Sequence, residues 1–268
     1  LLNLPVSGIY HTDFSAQASR LTGDAILSGL IEKATNWFYA QMDLIKVPTA
    51  EYKRLLSERS LEPAKLQVLT KHIDPQLFSP QPTAGAALKS ELGLKDGFTL
   101  LYAGRISQDK NLDFLAEIYR ELLKRRPDTN LLLAGEGPHR TLLTTALAGL
   151  ERVRFAGRVE RAKLPRWYSA ADLFVFPSTT DTFGLVVLEA QACGLPAIVS
   201  DQGGPQEIIL PGTSGFVLPE ANLNLWVEAI DSLIELKASK PLAFKQMQRA
   251  ACTQASERYN LAAALKSY

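Results

Sequence analysis

Short apolar runs alternate with amphipathic stretches along the chain from residue 98 to residue 210. The runs 98–103 and 173–176 are apolar at nearly every position, and strands of this kind lie in parallel sheets that helices cover on both faces. The stretch 112–126 carries apolar residues at helical spacing and ends before Pro127, which predicts one of the covering helices. About five such repeats predict a doubly wound, Rossmann-like α/β domain.

The residues on either side of this region are organised differently. Residues 1–75 contain α/β units as well, but too few to close a sheet of their own. Their predicted strands and helices are 6–9, 44–47 and 66–69, and 24–41 and 50–59. Prolines mark 77–83 as a linker. After residue 218, amphipathic stretches at 223–236, 242–258 and 261–266 predict helices.

Composition excludes several classes of protein. The 268 residues are 46% hydrophobic and 21% charged, with a net charge of +1, so neither disorder nor general attraction to nucleic acid is expected. No apolar run approaches the ~20 residues that cross a bilayer. Two cysteines favour a reducing, cytoplasmic setting. The chain opens Leu1-Leu2-Asn3 without an initiator Met or a signal peptide, and we expect a fragment of a longer protein.

The loops that follow parallel strands carry the ligand sites of an open α/β sheet. The first such loop, 104–111, holds Arg105 and Lys110 at the entry to a helix, where a phosphate is well bound. Two solvated loop cations are the alternative. The second loop, Gly135-Glu136-Gly137-Pro138, is a weak dinucleotide fingerprint, which disfavours a dehydrogenase.

The third loop, 177–190, is the most informative one. Asp181 precedes a predicted helix, and Glu189 lies inside the helix among apolar residues, where a carboxylate needs a partner such as a sugar diol. Gly184 lets a ligand approach the backbone, and the free amides of Gly184 and Leu185 favour an anion. The loop therefore indicates an anion at the start of the helix and a partner such as a sugar diol for the carboxylate inside it.

These motifs together resemble family 4 retaining glycosyltransferases of the GT-B fold. The resemblance rests on the order and spacing of several segments over residues 98–218, with Gly203-Gly204-Pro205-Gln206-Glu207 as a continuation. The segments are Gly104-Arg105 with Lys110, Phe155-x-Gly157-x-Val159, Ala171-Asp172-Leu173-Phe174-Val175-Phe176-Pro177-Ser178, and Phe183-Gly184-Leu185 with Glu189. Tyr10-His11-Thr12-Asp13-Phe14 is similar to the active-site segment of the family's N-terminal domain.

The resemblance implies a domain organisation. Residues 1–75 correspond to the last part of the N-terminal acceptor-side domain, and residues 76–251 to a complete nucleotide-sugar donor-binding domain. Residues 252–268 correspond to a C-terminal helix that crosses back to the N-terminal domain. Most of the N-terminal domain is then missing, and we expect the chain to pair with that missing part.

The resemblance also implies roles for individual residues of the chain. Arg105 and Lys110 bind the donor diphosphate, as do the amides of Gly184 and Leu185. Glu189 binds the nucleotide ribose. Asp181 and Phe183 contact the donor sugar. His11 and Asp181 are the catalytic residues. Arg158 and Val159 frame the base. The family usually has Glu where this chain has Asp181, so the contact to the sugar is the one that changes.

The implied activity is transfer of a sugar from a UDP- or GDP-sugar to an acceptor hydroxyl with retention of anomeric configuration. The expected acceptor is a carbohydrate or a lipid-linked molecule, reached at the cytoplasmic face of a membrane by peripheral contact. No metal or other cofactor is expected, because His11, His72 and His139 are scattered and no Asp-x-Asp pair is present. A non-catalytic nucleotide-sugar-binding or scaffolding module is the alternative function.

Overall fold

The computed structural model describes residues 4–265, which fold into two parallel sheets with helices around each. The smaller sheet has the order β1-β2-β3, and its strands are β1 (Ser7–Ile9), β2 (Leu44–Val47) and β3 (Leu66–Val68). Its helices are α1 (Phe14–Thr22), α2 (Ala25–Ala40) and α3 (Ala50–Glu58). Ile45 and Val47 of the central strand are fully buried against Tyr10, Tyr52 and Leu56, which form a small core.

The larger sheet has six parallel strands in the order β6-β5-β4-β7-β8-β9. These are β4 (Thr99–Ala103), β5 (Asn130–Ala134), β6 (Val153–Gly157), β7 (Leu173–Phe176), β8 (Ala197–Ser200) and β9 (Gly215–Leu218). The chain winds outward from β4 in both directions, and Leu100 of β4 pairs with Leu131 on one side and Leu173 on the other. The crevice between β4 and β7 is where a ligand binds in sheets of this type.

Helices cover both faces of the larger sheet. They are α4 (Pro82–Glu91), α5 (Leu112–Leu123), α6 (Arg140–Ala146), α7 (Leu164–Ala170), α8 (Leu185–Ala192), α9 (Leu223–Ser239), α10 (Pro241–Arg258) and α11 (Leu261–Leu265). Every residue of β4, β5, β7 and β8 is buried, as their largely apolar sequences predict. The predicted doubly wound α/β domain is confirmed.

Three elements differ from the sequence-based prediction. Helix α4 begins at Pro82, inside the predicted linker, because proline is well placed in the first turn of a helix. Helix α1 and strand β9 were not predicted, since both are short and only partly buried.

Helix α10 is continuous through the predicted domain boundary between residues 251 and 252. The division of the chain into domains stays a prediction. Residues 1–3 and 266–268, which include the apolar beginning of the sequence and the end of the predicted C-terminal helix, lie outside the described residues.

Several hydrogen bonds join the smaller sheet to the larger one. The amide of Ile73 donates to the carbonyl of Tyr259 at 2.8 Å, directly after α10. The Glu207 carboxylate accepts a hydrogen bond from the amide of Ala50 at 3.2 Å, so a residue beside the larger sheet caps helix α3 of the smaller one. These contacts place the loops of the smaller sheet against the crevice of the larger one.

Candidate active site

Two adjacent cavities lie at the carboxyl ends of the strands of the larger sheet. The larger cavity has a volume of about 560 Å³, and the smaller one about 240 Å³. Val186, in the first turn of α8, lines both, so the two form one cleft. A ligand that fills both cavities crosses the N-terminus of α8.

The larger cavity lies beside the loops after β4, β5 and β6. Arg105, Arg158 and Val159 line it, which are the predicted diphosphate-binding and base-framing residues of those loops. Gly135 permits the loops to approach, since a Cβ atom there would lie 1.8 Å from the carbonyl oxygen of Gly104. Two of the residues that line the cavity, Arg105 and Arg158, are arginines.

The smaller cavity lies between α8 and the smaller sheet. Its lining includes six predicted site residues, namely His11, Lys110, Asp181, Phe183, Gly184 and Leu185. Gly184 has φ +91° and packs against Pro205, where a Cβ would come within 2.9 Å of the ring. Only glycine adopts this conformation without strain, and it turns the chain into α8 so that the helix N-terminus faces the cavity.

His11 enters the smaller cavity from the loop after β1. The side chain is exposed, and its backbone carbonyl accepts a hydrogen bond from the Thr182 hydroxyl at 2.8 Å. Asp13 fixes this segment as the N-cap of α1, and Arg59 lies 3.0 Å from its carboxylate. Burial alone would raise the pKa of Asp13, but the Arg59 guanidinium holds that pKa below 3.8.

Lys110 is surrounded by carboxylates. Its ammonium lies 3.2 Å from Asp181 Oδ2 and 3.5 Å from Asp109 Oδ2, and its side chain is mostly buried. The three charges sum to −1. Lys110 alone therefore supplies no net positive potential to a phosphate.

Asp181 turns towards the start of α8. Its Oδ1 accepts hydrogen bonds from the amides of Phe183 at 3.2 Å and Gly184 at 2.7 Å. One of the two amides that the resemblance assigns to the donor phosphate thus already has an anionic partner. Aspartate is short enough to fold back in this way, as aspartates do at helix N-termini.

Glu189 is the one predicted site residue that lines neither cavity. It is 3% exposed, and its carboxylate accepts hydrogen bonds from Arg161 Nε at 3.0 Å and the Tyr168 hydroxyl at 3.1 Å. Burial raises the pKa of Glu189, and the Arg161 guanidinium opposes part of that rise. Its role as a ribose ligand stays a prediction.

Sequence reasoning missed several residues that shape this site. Lys71, three residues after the end of β3, lines the smaller cavity, and its ammonium lies 5.6 Å from the centroid of the Phe183 ring. Its position at the carboxyl end of a strand was the available signal. The contacts of Arg161 and Tyr168 with Glu189 had no signal in the sequence, because they depend on how α7 packs against α8.

Within residues 4–265, no group of three or more His, Cys, Asp or Glu side chains is placed to hold a metal ion. None of the helices described above combines the length and the apolar character needed to cross a membrane.

A separate cavity of about 510 Å³ lies between α4, α7, α8 and α10, and both cysteines line it.

Comparison with known proteins gives consistent results. A family model described as glycosyl transferases group 1 matches residues 97–236. Sulfoquinovosyl transferase SQD2 of Arabidopsis thaliana is 26% identical over 98% of this chain and 51% of its own length. A GDP-mannose-dependent alpha-(1-6)-phosphatidylinositol monomannoside mannosyltransferase of Mycolicibacterium smegmatis is 31% identical over 64% of this chain and 47% of its own length. The chain spans about half the length of these curated relatives.

Solved structures show the same architecture. Anabaena Alr3699/HepE in complex with UDP superimposes with a TM-score of 0.79 at 20% identity, over 98% of this chain and 70% of that one. At this level of identity the likeness concerns the fold, and the predicted GT-B type of fold is confirmed.

Proposed function

The chain belongs to the group 1 glycosyl transferases, and we propose that it transfers a sugar from a UDP- or GDP-sugar to an acceptor hydroxyl with retention of anomeric configuration. The observation that carries this proposal is the two-part cleft at the strand ends. Its larger part has room for a nucleoside, and its smaller part holds polar and charged groups beside the N-terminus of α8. The donor diphosphate would cross at Val186, which lines both parts.

The proposed roles follow the two cavities. In the larger one, Arg158 and Val159 frame the base and Arg105 binds the diphosphate. In the smaller one, the sugar lies between His11 and Asp181, and the diphosphate reaches the start of α8. Similarity to a GDP-mannose-dependent enzyme and to a fold that binds UDP supports donors of both base types.

Suitably placed cations and a helix N-terminus can stabilise a leaving diphosphate electrostatically, which is the task that Mg²⁺ performs in other transferases. We therefore propose a reaction without a metal. In it the leaving diphosphate helps to deprotonate the acceptor hydroxyl, and His11 hydrogen-bonds near the anomeric centre.

The proposed domain organisation places the donor-binding domain at 76–251 and the last part of an acceptor-side domain at 1–75. No residue of α2 is buried, and Ile26 and Trp37 on that helix are 78% and 69% exposed. Further structure of the acceptor side would cover these residues. The acceptor, a carbohydrate or a lipid-linked molecule met at the cytoplasmic face of a membrane, would be recognised mainly there.

Asp181 supports a second candidate function. Its carboxylate is taken up by its own helix, as expected if the chain binds a nucleotide sugar without turning it over. Incubation with a panel of UDP- and GDP-sugars and simple acceptors, followed by NMR of the anomeric proton, separates the candidates. We expect turnover of one donor with retained configuration. An inverted product contradicts retention, and binding without turnover or hydrolysis supports the non-catalytic module.

A further inference from the structure

We infer that Lys71 is a binding residue for the β-phosphate of the donor, contributed by the smaller sheet to a site whose other groups belong to the larger one. The inference rests on the proposed function, since it presumes a nucleoside diphosphate in the cleft. Lys110, which lines the smaller cavity, is matched by Asp109 and Asp181, with a net charge of −1 over the three residues.

Two of the amides that lead into α8 do not correct this balance, because a carboxylate already occupies them. Those of Phe183 and Gly184 already donate to Asp181 Oδ1. A diphosphate that entered here would meet a carboxylate in the position where a helix terminus normally favours an anion. Another positive charge is needed in the same cavity.

Lys71 is that charge. It lines the same cavity as Lys110 and Asp181, and within residues 4–265 it forms no ion pair with a carboxylate. Its ammonium lies 5.6 Å from the centre of the buried Phe183 ring, a cation–π contact that holds a cation without neutralising it. The ammonium is therefore still available to an anionic ligand.

The backbone around Lys71 is fixed on both sides. The amide of Leu69 donates to the carbonyl of Val47 at 2.8 Å, and the amide of Ile73 donates to that of Tyr259 at 2.8 Å. The first bond ties the loop to β2, and the second ties it to the end of α10. The backbone at Lys71 is therefore in place before a ligand binds, and only the side chain is left to be ordered.

The position also indicates which phosphate is bound. Arg105 lies in the larger cavity with the proposed base site, whereas Lys71 lies in the smaller one with the proposed sugar site. In a nucleoside diphosphate the β-phosphate is the one further from the base. Lys71 should therefore contribute to the affinity for a nucleoside diphosphate and not for the monophosphate.

The test uses isothermal titration calorimetry with UDP, GDP and ADP and their monophosphates. For the diphosphate that binds, we expect Lys71→Met to weaken affinity about tenfold, as for loss of a charged hydrogen bond, and Lys71→Arg to retain most of it. The monophosphate should change less than twofold. Lys53→Met, which removes the same charge from α3 outside the cavity, is the matched control.

The outcomes separate this inference from the proposed function. If the unmodified chain binds none of the three diphosphates, the proposed function fails and the inference with it. If a diphosphate binds and Lys71→Met binds it equally well, only the role of Lys71 is overturned. Equal losses for diphosphate and monophosphate, or for Lys71→Met and Lys53→Met, also overturn it, because they indicate a general effect of charge or folding.

Discussion

At the scale of single residues, Asp181 has two tasks that compete. One oxygen of its carboxylate accepts a hydrogen bond from the ammonium of Lys110. The other accepts hydrogen bonds from the amides of Phe183 and Gly184, just before α8. Both partners are groups that would otherwise attract a phosphate. In the free protein Asp181 therefore stabilises the site and at the same time occupies the groups that a phosphate would bind.

This arrangement leads to a prediction for Asp181→Asn. The variant removes a negative charge beside the proposed diphosphate, so UDP or GDP should bind about fivefold more tightly, the size expected for one partly exposed charge pair. The corresponding nucleotide sugar should gain less, because its contact with the carboxylate is lost. Calorimetry at low salt measures both, with Asp128→Asn on an exposed loop as the control. Weaker binding of the nucleoside diphosphate would show that Asp181 supports the phosphate site rather than competing for it.

Single residues also show how far a sequence can predict a site. Residues such as Arg105 and Gly184 follow parallel strands, and the ends of parallel strands meet at one edge of the sheet, so their convergence could be predicted. The inward turn of Asp181 could not, because it depends on one methylene and on the exact path of the loop. Glu189 was assigned to a ligand since a buried acid needs a partner, and the protein itself supplies partners in Arg161 and Tyr168.

At the scale of secondary structure elements, the buried carboxylate of Glu189 joins α8 to α7 and to the segment before it. The Tyr168 hydroxyl reaches it from α7, and Arg161 reaches it from the preceding 3₁₀ turn. Arg161 also stacks on Phe78, 4.9 Å from the ring centroid, and so links this pair to the residues before α4. The helix that faces the proposed diphosphate is thus anchored at its middle.

The anchor predicts a stability that depends on pH. Burial raises the folded-state pKa of Glu189 above 4.5, and without Arg161 that pKa rises further. A raised acid pKa disfavours the folded state as the pH increases through it. Arg161→Met should therefore lower the free energy of unfolding by about 1 kcal/mol at pH 8, a figure kept small because the Arg161 side chain is 59% exposed. At pH 5 the loss should be less than half of that.

Urea unfolding at both pH values measures this difference. Lys163→Met is the control, because its partner Glu160 is exposed and their ion pair contributes little at either pH. An equal loss for Arg161→Met at pH 5 and pH 8 would contradict a role in keeping Glu189 ionised.

The elements themselves were predictable to different degrees. Strands β4 and β7 were predicted because their segments are apolar at nearly every position, a pattern that does not depend on the neighbours. Helix α4 was not, since its residues include Gly85 and three prolines, Pro75, Pro80 and Pro82, stand at or shortly before its start. Its packing is set by α7, where the backbone at Ser169 lies so close that a Cβ at position 85 would not fit.

At the scale of the whole molecule, the site depends on contacts between residues far apart in sequence. The hydroxyl of Thr182 reaches the carbonyl of His11 over a separation of 171 residues, and Glu207 reaches the amide of Ala50 over 157. Local sequence patterns do not predict contacts over such separations. The sequence therefore indicated the two halves of the cleft but not the contacts that join them. The meeting of the two sheets brings His11 and Lys71 to the N-terminus of α8.

The central claim is that a nucleoside diphosphate binds where these parts meet. Isothermal titration calorimetry of the unmodified chain with UDP, GDP and ADP tests it, beside Arg105→Ala in the larger cavity and Lys124→Ala on the exposed end of α5. We predict that UDP or GDP binds, that Arg105→Ala weakens this binding about tenfold, and that Lys124→Ala leaves it unchanged. Absence of binding by all three nucleotides at millimolar concentration, or equal affinity of Arg105→Ala and the unmodified chain, would contradict the claim.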